Sequence, residues 1–231
     1  MIRALTFAAM LILMALPVSA GFKEGEAAHR RGDYKTALRE LKPLAEKGYA
    51  KAQYALGSMY ANAQGVPKNY RKAATWFRKA ASQGYARAQH NLGFMYENGL
   101  GVSMNYREAL KWYRASAKQG YASAQLNLSN MYIKGTGAQR NYALAAKWLR
   151  KAARQGHPKA QGTLGFMHAR GLGVPKNYTV ALMWFLLSAA QGNQQASRYV
   201  PVVERRLTPQ QIVRAYEMAK DWRPKKTKQT K

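Results

Sequence analysis

Apolar residues recur along this chain with two nested periods. Within residues 86–121, Ala88, Leu92, Met95 and Tyr96 fall at i, i+4, i+7 and i+8, which places them on one face of a helix. Gly99 and Gly101 then punctuate a loop. Asn105 follows as a residue whose side-chain oxygen can cap free amides, with Glu108 three positions on as in a capping box. Tyr106, Ala109, Trp112, Tyr113 and Ala117 line the apolar side of a second helix, and Gly120 ends it. The segment predicts a helical hairpin. The longer period is 36 residues: Trp76, Trp112, Trp148 and Trp184 keep this step, as do Tyr70, Tyr106, Tyr142 and Tyr178, and Asn69, Asn105, Asn141 and Asn177. A fixed step of this size signals stacked repeat units. The expected fold is all-α, a right-handed α-solenoid of helix–turn–helix hairpins with units 50–85, 86–121, 122–157 and 158–193.

Small residues carry a second message. Gly57, Gly93 and Gly165 lie inside first helices, where glycine costs about 1 kcal/mol relative to alanine. Their recurrence predicts close helix approach, with aromatic side chains over the missing side chain. Ser129 takes the position in the third unit and should open that contact. Ala63 replaces the first loop glycine of the first unit, so that loop is expected to sit differently. No single hairpin buries enough apolar surface to stand alone, so stability must come from neighbours. On this register Trp112→Ala is expected to cost roughly 3–5 kcal/mol, the range for buried tryptophan.

The ends depart from the period. Arg3, the apolar run Leu5 to Leu16 and the small residues before Ala20 read as a signal peptide, residues 1–20, cleaved after Ala20. Residues 21–49 form a degenerate capping repeat with Asp33-Tyr34 in phase and Pro43 expected to interrupt its second helix. Beyond Asn193, residues 194–222 read as capping helices. Pro201 should stop or kink the first of them. Thr208-Pro209-Gln210-Gln211 opens the second as N-cap, N1 proline and capping-box glutamine. Residues 223–231 carry five positive charges and no acid and read as a disordered tail. No cysteine is present, so an exported chain would be held by packing alone.

Charge narrows the choice of partner. The chain has 38 Lys and Arg against 10 Asp and Glu, a formal +28. Between Lys47 and Arg198 only Glu97 and Glu108 are acidic, against 22 Lys and Arg. Such a surface attracts acidic partners and polyanions.

The residues that carry chemistry elsewhere are sparse here. His29 has Glu26 and Asp33 at helical spacing, a poor zinc signature without cysteine, and Asp33 is in phase with the capping Asn69. His168 stands where Tyr60, Tyr96 and Tyr132 stand in other units and reads as a core substitution. His90 and His157 lack ligand partners at i±3 or i±4. No nucleophile-elbow, P-loop or dinucleotide motif occurs. The expectation is no catalytic residues, no metal and no cofactor.

The candidate binding residues are those that differ between units at one structural position. Positions 54, 90, 126 and 162 hold Tyr54, His90, Leu126 and Gly162. Four residues on stand Ser58, Phe94, Asn130 and Phe166, and Arg170 lies one turn beyond Phe166. First helices commonly line the concave side of helical solenoids. Tyr54, Ser58, His90, Phe94, Leu126, Asn130, Phe166 and Arg170 are therefore the expected contact surface for a protein or peptide, acidic in character. An anionic envelope component such as lipopolysaccharide, anionic lipid or an acidic polymer is the alternative. Specific nucleic-acid binding is not expected.

The rows resemble the Sel-one-like repeat family, relatives of tetratricopeptide repeats. The resemblance rests on Ala-x-Ala-Gln-x-x-Leu-Gly-x-Met-Tyr, Gly-x-Gly-Val, and Asn-Tyr-x-x-Ala-x-x-Trp followed by Ala-Ala-x-x-Gly. It implies a scaffold for protein complexes, in bacteria often at the envelope. The chain differs from the family in carrying Asn, where an acid is frequent, before each second-helix Tyr. A β-lactam-hydrolase-like activity, linked with cysteine-rich members, is a distant alternative, since the stapling cysteines are absent.

Overall fold

Twelve helices and no strands make up residues 18–224, the part of the chain that the computed structural model describes. Of the expected signal peptide (1–20) and basic tail (223–231), residues 1–17 and 225–231 lie outside the described residues. The helices pair in chain order. The first hairpin is α1 (Val18–Arg30) with α2 (Tyr34–Glu46), followed by α3 (Ala50–Asn62) with α4 (Tyr70–Ser82). Then come α5 (Ala86–Asn98) with α6 (Tyr106–Lys118), α7 (Ala122–Lys134) with α8 (Tyr142–Arg154), and α9 (Pro158–Arg170) with α10 (Tyr178–Ala189). Helices α11 (Gln194–Glu204) and α12 (Pro209–Asp221) complete the chain. Each second helix packs against its own first helix and against the first helix of the next hairpin, and α12 packs on α10. The fold is the all-α solenoid of stacked hairpins that the period predicts.

The glycines inside first helices meet aromatic rings. A Cβ on Gly57 would lie 2.8 Å from Phe77, one on Gly93 2.8 Å from Tyr113, and one on Gly165 3.1 Å from Phe185. In the third unit Ser129 is accompanied by Leu149 at the ring position, and both are fully buried. The chain therefore exchanges a glycine–aromatic pair for a serine–leucine pair at constant volume, and the contact there is refilled.

A second device joins neighbours. Gln53, Gln89, Gln125 and Gln161 are buried, and each donates to a carbonyl at the end of the preceding helix: Ala45, Ala81, Ala117 and Ala153. Each accepts in turn from Gln83, Gln119, Gln155 or Gln191 at 2.7–2.9 Å. Buried amides are tolerable only when paired, and this ladder pairs them in each of the four 36-residue units.

Several local expectations need revision. Ala63 adopts the left-handed cap of the glycines that replace it elsewhere, φ 58 against 66, 76 and 71, so the loop keeps its shape and carries strain instead. Ala63→Gly should raise stability by about 0.5–1 kcal/mol, read from urea unfolding, because alanine disfavours this conformation. Helices α2 and α11 run through Pro43 and Pro201 rather than stopping there. Asn105 caps α6 through the amides of Arg107 and Glu108. The Glu108 carboxylate instead accepts from Trp112 Nε1 at 3.1 Å and pairs with Lys111, so only half a capping box forms. The box at Thr208 and Gln211 is complete.

The tryptophan line is also less buried than its regularity suggests. Trp76, Trp112 and Trp148 are half-exposed, with Lys79, Lys111 and Lys151 over their rings at 4.3, 5.6 and 4.7 Å. Only Trp184 is buried, edge-on to Trp222 beyond α12. Trp112→Ala is therefore expected to cost roughly 1–2 kcal/mol in chemical unfolding, below the range for a fully buried ring.

Candidate functional site

The first helices α7, α9 and α11 share a groove of about 520 Å³. Leu126 and Asn130 come from α7, Gly162 and Phe166 from α9, and Tyr199 from α11, with the Phe185 ring of α10 beneath. Among the expected contact residues, Leu126, Asn130 and Phe166 are thus brought together. Leu126 is buried, Asn130 half-buried, and Phe166 lies edge-on to Tyr199 at 6.1 Å. Arg170 is exposed, its guanidinium 5.4 Å from the Phe166 ring.

The other four serve different purposes. Tyr54 is half-buried against Phe77 and Tyr85, and Ser58 donates to the Tyr54 carbonyl one turn back. Both are held by their own hairpin and do not reach the α7–α9–α11 groove. Phe94 is 46% exposed, a free apolar surface on α5. His90 packs edge-on to Tyr121 and against Tyr113, and its ring nitrogens face Asn91 at 3.1 Å and Asn127 at 3.2 Å.

Sequence reasoning missed residues in two places. Lys159, Thr163 and Gln195 line the groove but looked like ordinary helix surface. The polar cluster around His90 was missed as well. Tyr113 is fully buried, and its hydroxyl donates to the Glu97 carboxylate at 2.7 Å. Burial and that carboxylate push the phenol far above its usual range. A signal existed: the ring position reads Phe77, Tyr113, Leu149 and Phe185, so the second unit alone carries a hydroxyl. A second surface hollow, about 680 Å³, runs along the starts of α3 and α5 between Tyr49, Tyr85 and Tyr121, with Lys51 and Arg87 on its wall.

Three histidines share one electrostatic tendency. Burial lowers His90, His157 and His168 below the ordinary histidine pKa, and Arg150 adds to the effect at His168. The unfolded chain then takes up protons before the folded one does. Stability is complete above about pH 6.5 and falls as pH drops from there toward the lowered folded values. The thermal midpoint should therefore decrease between about pH 7 and pH 5. His90→Leu, which copies Leu126, should shallow that decrease; an unchanged profile would remove His90 from this account. His29 sits 2.9 Å from the Gln64 amide oxygen in a structural pair.

The family model of the Sel1 repeat matches residues 50–85, 86–121, 122–157 and 158–193. The chain belongs to the Sel1 repeat family. Among solved structures, this Sel1 array is similar to a protective antigen of uropathogenic Escherichia coli with an SLR fold, at 34% identity and TM-score 0.82. That match covers 89% of this chain but 45% of the antigen, so the array spans less than half of that protein. A Sel1 repeat protein from Oxalobacter formigenes is 32% identical, with TM-score 0.75, and the match covers 87% of this chain and 85% of that one. An immunity protein of Pseudomonas aeruginosa, 20% identical with TM-score 0.53, shares the fold over 89% of this chain and 84% of its own. No curated protein matches the chain.

Proposed function

We propose that this Sel1 array is a non-enzymatic scaffold that holds a segment of an acidic protein partner along its first helices, outside the cytosol. One observation carries the reading. The positions that differ between otherwise matching units, Leu126, Asn130, Gly162 and Phe166, converge on one groove crossing three successive first helices. The frame residues, by contrast, repeat unit after unit. A positive surface would attract an acidic partner and speed its encounter. The export reading rests on Arg3, the apolar run to Leu16 and the small residues ending at Ala20.

The polyanion alternative draws on another face. Helices α4, α6 and α8 each carry four exposed cations, among them Arg71, Lys72, Arg107, Lys147 and Lys151, whereas α10 carries none. Among the described residues only four ion pairs form, so most of this charge has no carboxylate partner.

The test compares the chain with two variants in pull-downs from an envelope fraction at low and moderate salt. One variant is Asn130→Ala with Lys159→Glu, both on the groove wall; the other is Arg71→Glu with Lys147→Glu. A discrete protein retained at moderate salt and lost only with the first variant is the expected result. Capture that vanishes with salt and with the second variant sinks the groove reading and leaves a charge-driven binder.

A further inference from the structure

At the far end of the array from the groove, aromatic and cationic residues meet in the second hollow. Its walls are Tyr49, Tyr85 and Tyr121, half-buried residues that immediately precede α3, α5 and α7. Phe22 closes one end, edge-on to Tyr49 at 5.2 Å. Lys51 and Arg87, the second residues of α3 and α5, stand exposed on the same wall.

The amides of this hollow are committed to the frame. Gln83 donates to the Gly48 carbonyl and to Gln53, and Gln119 to the Gly84 carbonyl and to Gln89, at 2.7–2.8 Å. An apolar group can therefore lie over them without stranding a hydrogen-bonding atom. The charges are uncommitted. Lys51, Arg87 and Glu26, the one carboxylate lining the hollow, are exposed and form no ion pair among the described residues.

The chain itself shows what such a turn accepts. Gly48, Gly84 and Gly156 are equivalent by the 36-residue step, and all three have positive φ. At Gly156 the chain lays its own C-terminal residues on the turn: a Cβ there would meet Pro224 at 3.6 Å and the Trp222 ring at 3.7 Å. Trp222 leaves α12 in an extended conformation, φ −67 and ψ 136. At Gly48 and Gly84, both on the hollow, nothing meets that position within 4 Å.

We propose that the hollow between Tyr49, Tyr85 and Tyr121 is a second docking site, taking an extended acidic segment of a protein partner. An aromatic side chain of that segment lies against the tyrosines, and its carboxylates meet Lys51 and Arg87. Glu26 repels acid at the Phe22 end and so fixes which way the segment runs. Rigid aromatic walls supply contact area at low entropic cost, and the uncommitted cations select the partner by charge. The site goes beyond the groove reading, since it lies on other helices and either can fail alone.

The probe is acetyl-Asp-Trp-Asp-Pro-amide, which keeps the Trp-x-Pro spacing of residues 222–224 and places acids beside it. It is titrated into the isotope-labelled full chain and followed by backbone amide NMR. The amides of Lys51, Gly84 and Arg87 should move most. Replacing the probe's Trp with Ala should weaken binding roughly tenfold, the loss expected from leaving a ring's area in water. Lys51→Glu with Arg87→Glu, both on exposed sites, should leave the thermal midpoint unchanged, weaken the acidic probe and favour acetyl-Lys-Trp-Lys-Pro-amide. Glu26→Gln should strengthen the acidic probe. Equal binding by the chain and the double variant would overturn the site. Responses centred on Leu126 to Tyr199, with Lys51 and Arg87 silent, would overturn the site and leave the groove reading standing. Responses confined to α4, α6 and α8, or none at millimolar probe, would also overturn it.

Discussion

Gly101→Ala should separate the first two Sel1 units, lowering stability by about 3 kcal/mol or more in chemical unfolding. Gly101 has φ +68, and a Cβ there would run into the backbone at Tyr70 and Arg71, at the start of the preceding second helix. Backbone cannot swing aside as a side chain can, and α4 is pinned by its cap at Asn69. Two penalties therefore add, the left-handed conformation and the steric conflict. The same contact recurs one unit at a time: Gly65 on Tyr34, Gly137 on Tyr106, and Gly173 on Tyr142. Gly99→Ala is the matched control. It has φ +66, but its nearest neighbour, Met104 Cβ, would be 3.5 Å away, so only the conformational penalty remains. Equal losses for the two variants would show that the clasp onto Tyr70 contributes nothing.

Gly57→Ser should cost about 2 kcal/mol, and adding Phe77→Leu should return much of that loss. The serine Cβ would press on the Phe77 ring from 2.8 Å, with the Ala73 carbonyl at 3.3 Å. A gain in helix propensity of roughly 0.5 kcal/mol offsets part of the strain. Phe77→Leu alone should also destabilise, by leaving a void over Gly57. The third unit already holds the combined solution as Ser129 and Leu149, so the double variant restores a pairing the chain uses. Measured as a double-mutant cycle, the coupling should be favourable by about 1 kcal/mol or more. Additive effects would mean that the two positions do not share space.

Much of the frame could be read before any coordinates because its determinants are local and repeated. Asn69, Asn105, Asn141 and Asn177 each accept from the amide three residues on, as the spacing to the second-helix Tyr implies. The embedded glycines meet rings because one unit's pattern is printed four times, and repetition separates rule from accident. Burial was harder to read. Trp112 is as regular as Leu92, yet one is half-exposed and the other fully buried, since regularity marks a shared environment without saying how dry it is. The glutamine ladder escaped for a related reason. Gln53 and Gln83 are 30 residues apart, and although both glutamine series keep the 36-residue step, a shared step does not say which side chains meet. The candidate site was legible only as a set of variable positions. Which of them meet depends on side chains from three hairpins. At Gly162 a side chain would crowd Ser188 and Asn193, a constraint visible only once those neighbours are placed.

The last helix has a consequence for how this molecule changes over generations. Helix α10 is apolar nearly all round, with Leu182, Met183, Trp184 and Phe185 buried, because α12 covers the side that α4, α6 and α8 turn to water. A copy of a unit added after α10 would find this seat taken and would leave the α12 face bare. A copy inserted between existing units finds a tyrosine backbone for its loop glycine and a glutamine for its amide on either side. Gene duplication can therefore lengthen the array in its middle, in steps of one whole unit, while both ends and the α9–α11 groove are inherited unchanged.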